Sequence, residues 1–136
     1  MDGAEIERRL REFFEEQAEA EGIAAAWLFG SVARGTARPD SDVDVGVLFQ
    51  EDPPRTLDGY HFDLEADLED LLGETVQLVV LNRAPADLSF RVLRDDKLLV
   101  NQNPSRRIRF EVRTHKDYED LEPYLHLYRQ PWKGLP

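Results

Sequence analysis

Two short segments of the sequence carry residue types suited to phosphate and metal chemistry. Gly30-Ser31 follows an apolar run that ends at Phe29. A glycine lets the backbone approach a ligand closely, and a serine beside it can hold phosphate oxygens where a helix begins. Asp42-Val43-Asp44 projects two carboxylates from one face of a predicted strand. Because adjacent carboxylates repel each other unless a cation neutralises them, and because Mg²⁺ prefers oxygen ligands, the pair predicts a magnesium site and phosphoryl-transfer chemistry.

The elements that must position these residues follow from hydrophobic periodicity. Apolar residues recur at helical spacing over 4–20, 64–72 and 85–94, and apolar or alternating runs predict strands over 24–29, 41–49, 75–81 and 97–100. The valine-rich run over 75–81 favours a central strand covered on both faces. Pro53-Pro54 and Asp58-Gly59 mark a loop, and residues 105–129 form a predicted helical segment with a kink or new turn at Pro123. Residues 130–136, rich in Pro and Gly, are expected to be a mobile tail.

Composition restricts the class of protein. A chain of 136 residues suits one compact domain, here predicted over residues 1–129. A formal charge of −11 disfavours binding of nucleic acid, because phosphate backbones would be repelled. The chain contains no cysteine, opens without a signal-peptide pattern and has no apolar window of membrane-spanning length. We therefore expect a cytoplasmic protein that binds no membrane and no nucleic acid and that could form oligomers.

The order of motifs resembles a known family. Gly30-Ser31-Val32-Ala33-Arg34-Gly35 followed by Ser41-Asp42-Val43-Asp44 is similar to the signature of the DNA polymerase β-like nucleotidyltransferases, specifically the minimal nucleotidyltransferase (MNT) branch. The segments 76–82, 91–93 and 97–100 follow the order seen in MNT proteins, and segments 107–113 and 118–124 resemble the longer MNT antitoxins that pair with HEPN-domain toxins. The resemblance implies an α+β nucleotidyltransferase fold, with a small twisted mixed sheet flanked by helices.

The same resemblance implies an activity and a set of site residues. An MNT antitoxin would transfer AMP from ATP to a hydroxyl, most simply a tyrosine, of a HEPN toxin in the presence of Mg²⁺. Asp42 and Asp44 would hold the metal and support catalysis. Residues that would bind the nucleotide are Gly30, Ser31, Arg34 and Ser41.

One position departs from the family pattern. The strand after the acidic helix usually supplies a third carboxylate, and Gln77 occupies that slot here. A glutamine can offer a carbonyl oxygen to a metal, but it cannot carry negative charge or accept a proton. Asp63 or Glu65 could replace the missing carboxylate, although the acidic residues of that helix are more simply a solvated face.

Two alternatives to protein adenylylation stay open, and the first of them follows from the substitution at position 77. The chain could be a catalytically impaired antitoxin that neutralises its toxin by stoichiometric binding. It could also be a nucleotidyltransferase for a small hydroxylated molecule such as an aminoglycoside.

A further feature is the arginine row Arg106, Arg109 and Arg113, which predicts contacts to phosphates or an acidic partner, or else a solvated basic helix face.

Overall fold

The structure is a computed structural model that describes the backbone of residues 1–53 and 60–134 and the side chains of residues 1–53 and 63–125. The helices are α1 (Gly3–Gln17), α2 (Gly30–Arg34), α3 (Tyr60–Leu72), α4 (Ala86–Asp95) and α5 (Pro104–Gly134), with a 3₁₀ turn at Leu81–Arg83. The strands are β1 (Ile23–Phe29), β2 (Val43–Phe49), β3 (Val76–Val80) and β4 (Lys97–Asn101).

The four strands form one mixed sheet in the order β3-β2-β1-β4. Strand β1 pairs antiparallel with both β2 and β4, whereas β2 and β3 are parallel and are joined through α3. The prediction of an α+β fold with a mixed sheet flanked by helices is therefore confirmed. No helix in the described part of the chain is both long and apolar enough to cross a membrane.

Each face of the sheet is covered by its own hydrophobic cluster. On one face, Val43, Val45 and Val47 of β2 pack in a cluster with apolar residues of α1 and α3. On the other face, Trp27 and Leu48 pack with residues that include Val92 of α4 and Phe110 of α5. Alternation along β2 sends its valines to the first face and leaves Asp44 on the second, so the strand's period of two decides where the carboxylate lies.

The position of β3 differs from its predicted central place. It is an edge strand, and Val79 and Val80 are only partly buried. An edge strand exposes unpaired backbone N–H groups. Here the carboxylates of Glu65 and Glu69 on α3 accept hydrogen bonds from the N–H groups of Leu78 and Val76, at 3.0 and 3.1 Å. The acidic side of α3 therefore caps a strand edge rather than forming only a solvated face.

The C-terminal helix is longer than the sequence pattern predicts. Helix α5 runs through Pro123 and Pro131 to Gly134, so regular structure continues beyond the predicted end at residue 129. A proline within a helix removes one backbone hydrogen bond and crowds the preceding turn, which disfavours a helix without forbidding it. Of the predicted loop and tail, Pro54, Asp58, Gly59 and residues 135–136 lie outside the described residues.

Candidate functional site

Gly30 sits at the junction of β1 and α2, where the sequence predicted a phosphate-holding turn. Its φ is +77°, a left-handed conformation that favours glycine. A Cβ atom at this position would lie 2.2 Å from Oδ2 of Asp44. The glycine is therefore required twice over, once for the backbone conformation and once for the close approach of the Asp44 carboxylate.

Strand register brings Asp44 and Gln77 together. Asp44 of β2 is the register partner of Phe29 on β1 and of Gln77 on β3. These residues lie at the end of the sheet where β1 leads into α2. The structure thus places Gln77 beside Asp44, the position at which the third carboxylate was expected.

The Asp44 carboxyl is partly buried, and its surroundings disfavour the ionised form. Burial raises the pKa of Asp44, the charge of Asp42 raises it further, and Arg34 opposes the shift. Asp42 itself is exposed and lies one residue before β2. The two predicted carboxylates are therefore close enough to repel each other, and the ionised pair would be stabilised by a cation.

Two carboxylates and one amide supply oxygen donors at this place, and this set of donors fits a divalent ion. No group of three or more His, Cys, Asp or Glu side chains with metal-binding geometry occurs among the described residues. Asp42, Asp44 and the carbonyl oxygen of Gln77 are hard oxygen donors of the kind that Mg²⁺ accepts, and water commonly completes its coordination.

Asp95 is a central residue of the site that sequence reasoning missed. It ends α4, and its side chain is only 4% exposed. Its Oδ2 accepts a hydrogen bond from the Gly30 N–H at 2.8 Å and another from Nη1 of Arg34 at 3.1 Å. The next residue, Asp96, adopts a left-handed conformation with φ of +51° and ends the helix there. Asp95 therefore fixes the glycine turn and orients Arg34.

This contact changes the role expected for Gly30. The backbone of this turn was predicted to approach a phosphate closely, but the Gly30 N–H donates to Asp95 inside the protein. No spacing in the sequence indicated the contact, because the two residues are 65 positions apart. The hydroxyl of Ser31 makes no hydrogen bond to any described residue, so it stays a candidate donor to a ligand.

A cleft of about 460 Å³ opens beside these residues, and we call it the Asp44 cleft. It is lined by Phe29, Gly30, Ser31, Arg34, Asp44, Gln77, Val79, Leu88, Arg91, Arg94 and Asp95. The structure therefore brings together most of the predicted site. It also adds two arginines of α4, Arg91 and Arg94, which were not among the predicted site residues.

Ser41 and the two proposed replacement carboxylates lie elsewhere. The Ser41 hydroxyl accepts a hydrogen bond from the Arg38 N–H at 2.9 Å and lines a separate groove beside α1. Glu65 is bound to the backbone of β3, and Asp63 is an exposed residue of α3. Because α3 covers the sheet face opposite Asp44, neither acidic residue is in position to replace the missing carboxylate.

The sequence and fold match known proteins. Residues 9–105 match the family described as Polymerase beta, Nucleotidyltransferase. The chain is 38% identical to the protein adenylyltransferase MntA of Thermococcus cleftensis over 91 residues, which cover 67% of this chain and 89% of that relative.

Two solved structures are similar in fold. A chain of a toxin–antitoxin structure with AMP-PNP aligns with a TM-score of 0.75 and 23% identity, covering 91% of this chain and 98% of its own length. A chain from a complex of tri-AMPylated HEPN toxin of Shewanella oneidensis with an MNT antitoxin aligns with a TM-score of 0.73 and 20% identity, covering 94% of this chain and 99% of its own. At these identities the structural likeness concerns the fold.

Proposed function

Since this chain belongs to the polymerase beta nucleotidyltransferase family, we propose that it transfers AMP from ATP to a tyrosine hydroxyl of a HEPN-domain toxin and so acts as an antitoxin. The observation that carries the proposal is the convergence of Asp44, Gln77 and Arg34 on one cleft. Support for the substrate and partner comes from the adenylyltransferase relative and from the antitoxin structures with AMP-PNP and with AMPylated toxin.

Asp42, Asp44 and the Gln77 carbonyl would hold Mg²⁺, which when bound supplies neutralisation of phosphate charge. The raised pKa of Asp44 supports this assignment, since burial first and the Asp42 charge second disfavour the ionised carboxyl, and a bound cation would favour it. We assign no ligand role to Ser41, because its hydroxyl serves the 38–41 turn.

The arginines and serine of the cleft would bind the triphosphate. Arg34 gives one N–H to Asp95 and keeps its other donors for phosphate oxygens. Arg91 makes no hydrogen bond or ion pair with a described residue. The Ser31 hydroxyl likewise has no hydrogen-bond partner among the described residues, and both side chains line the cleft. Charge-assisted hydrogen bonds from these groups would hold the triphosphate with its α-phosphorus toward the acceptor.

In the transfer step the acceptor oxygen forms a bond to the α-phosphorus, and the bond from that phosphorus to the oxygen that bridges it to the β-phosphorus breaks, so that pyrophosphate leaves with that oxygen. The phenolic proton passes to solvent, because Gln77 cannot accept it. Positioning and electrostatics therefore carry the reaction, and we expect turnover to be slow.

Labelled ATP tests the transferase proposal directly. The full chain is mixed with α-labelled ATP, Mg²⁺ and the protein encoded by the adjacent reading frame, and label is followed onto protein. Transfer should require Asp44, so the Asp44→Asn protein should leave the label on ATP. Absence of transfer by the unmodified chain, at any Mg²⁺ concentration, would contradict the proposal.

Gln77 favours a second function, neutralisation of the toxin by stoichiometric binding. Among the described residues that line the cleft, the only carboxylate besides Asp44 is Asp95, and its Oδ2 is engaged by Gly30 and Arg34. The two functions differ in dose dependence. If Asp42→Ala and Asp44→Ala proteins neutralise the toxin only at the same one-to-one dose as the unmodified chain, binding is the mechanism. If the unmodified chain works well below that ratio and the variants do not, the mechanism is catalysis.

A further inference from the structure

Another cavity lies at the other end of the sheet from the Asp44 cleft. It has a volume of about 410 Å³ and lies between α4, α5 and the carboxyl end of β2, and we call it the α4–α5 groove. It shares no lining residue with the Asp44 cleft. Leu48 near the end of β2 lines the groove, whereas Asp44 near the beginning of the same strand lines the cleft.

Two hydroxyl groups open into the α4–α5 groove without a partner among the described residues. Ser89 of α4 is 3% exposed and Thr114 of α5 is 5% exposed. Neither hydroxyl forms a hydrogen bond with a described residue. No fully enclosed side-chain nitrogen or oxygen in the described part of the chain lacks a partner, so both hydroxyls must reach the open space of the groove. A nearly buried hydroxyl with no partner is unfavourable unless a ligand or water satisfies it.

Arginines of α5 make the groove basic in an acidic protein. Arg106, Arg109 and Arg113 line it, and they face two carboxylates, Asp52 and Asp117. The local balance is therefore positive, whereas the whole chain carries −11. Positive potential concentrated in a concave site attracts anions.

The three arginines differ in how far they are engaged. Nε of Arg106 donates to the Phe49 carbonyl at 3.1 Å, so this side chain serves the fold. Arg113 is 84% exposed with Nε 3.7 Å from Asp117. Arg109 has no carboxylate within ion-pair distance among the described residues, and its Nε is 3.5 Å from the Ser105 carbonyl. Arg109 is therefore the guanidinium most available to an anion.

We propose that the α4–α5 groove binds a nucleoside monophosphate. The phosphate would accept charge-assisted hydrogen bonds from Arg109 and Arg113 and neutral ones from Ser89 and Thr114, a set of donors that matches several oxygens around one phosphorus. The volume exceeds what a phosphate group needs. Phe110, a partly buried residue of α5, supplies apolar surface for a base. The proposal does not depend on catalysis in the Asp44 cleft.

Calorimetric titration of the full chain with AMP in the presence of EDTA tests the proposal, because chelation removes the metal that the Asp44 cleft would need. The unmodified chain should bind AMP at one site. Arg109→Gln should weaken binding by about tenfold or more, as expected for loss of a charge-assisted hydrogen bond. Thr114→Val keeps the side-chain shape and should weaken binding about threefold to tenfold.

Two control variants separate the groove from other basic sites. Arg107 lies on the same helix but bonds to Asn101 and Glu111 instead of lining the groove, so Arg107→Gln should bind AMP as the unmodified chain does. Arg34→Gln alters the Asp44 cleft and should also leave this affinity unchanged. Three results would overturn the assignment: no saturable AMP binding, unchanged affinity in Arg109→Gln, or loss of affinity in Arg34→Gln alone.

Discussion

Replacing Gly30 with alanine should separate the two demands that this position meets. An alanine must adopt the left-handed φ of +77°, and its Cβ would lie 2.2 Å from Oδ2 of Asp44. Gly73 offers a matched control. It has a similar φ of +66°, but nothing lies within 4 Å of a Cβ built there.

The structure gives the size of each effect. The left-handed conformation costs about 1–2 kcal/mol for an alanine, and both variants incur it. Ordinary van der Waals contact begins at 3.4 Å, so in Gly30→Ala the Asp44 oxygen must retreat by about 1 Å. Overpacking of this kind adds about 1–3 kcal/mol. A misplacement of about 1 Å can also lower a reaction rate by about a hundredfold.

Urea unfolding and Mn²⁺ titration of the two proteins measure these effects separately. Gly73→Ala should lose about 1–2 kcal/mol of stability and bind Mn²⁺ with unchanged affinity. Gly30→Ala should lose more stability and bind the metal at least tenfold more weakly, because ligand distances tolerate only about 0.2 Å. Equal metal affinity in the two variants would refute the argument that Gly30 exists to admit Asp44.

Three further substitutions, one of them with a matched control, test the charges of the site. Asp95→Asn should lose about 1 kcal/mol of stability in urea unfolding, because Arg34 loses its ionic partner. The control Asp96→Asn should change stability by less than about 0.5 kcal/mol, since asparagine tolerates the left-handed region. Equal losses in the two variants would contradict the role given to Asp95. Because burial and then Asp42 raise the pKa of Asp44, the folded state holds that proton more tightly and loses stability as pH rises through the raised pKa. In EDTA, Asp44→Asn should therefore be more stable than the unmodified chain at pH 7. The difference in stability should vanish as the pH falls below 3.8, the ordinary pKa of an aspartate. The opposite pH trend would refute the burial argument. Gln77→Glu should lower the stability of the metal-free protein by about 0.2–1 kcal/mol, since like charges on paired strands repel. The same variant should bind Mn²⁺ more tightly, as measured by calorimetry. Unchanged binding would place residue 77 outside the metal site.

Local pattern was sufficient for much of the fold. The apolar spacing around Leu64 and Leu68 predicted α3, and the alternation along β2 predicted both the strand and the separation of Asp44 from its valines. These features follow from periods of 3.6 and 2, which are properties of the local sequence. Local pattern failed for β3, because a valine-rich edge strand reads like a central one when the helix that caps its edge is not known.

The sequence by itself determined the chemistry available to this protein: a glycine–serine turn, two aspartates and a glutamine where a third carboxylate was expected. The tertiary structure alone decided which groups meet. In the folded chain Asp95 contacts the Gly30 N–H, although the two residues are 65 positions apart. Ser41 and Glu65 lie outside the site, and Arg91 of α4 lines it. The physical reason is that hydrogen bonds and ion pairs between distant segments depend on packing in three dimensions, which leaves no periodic trace along the chain.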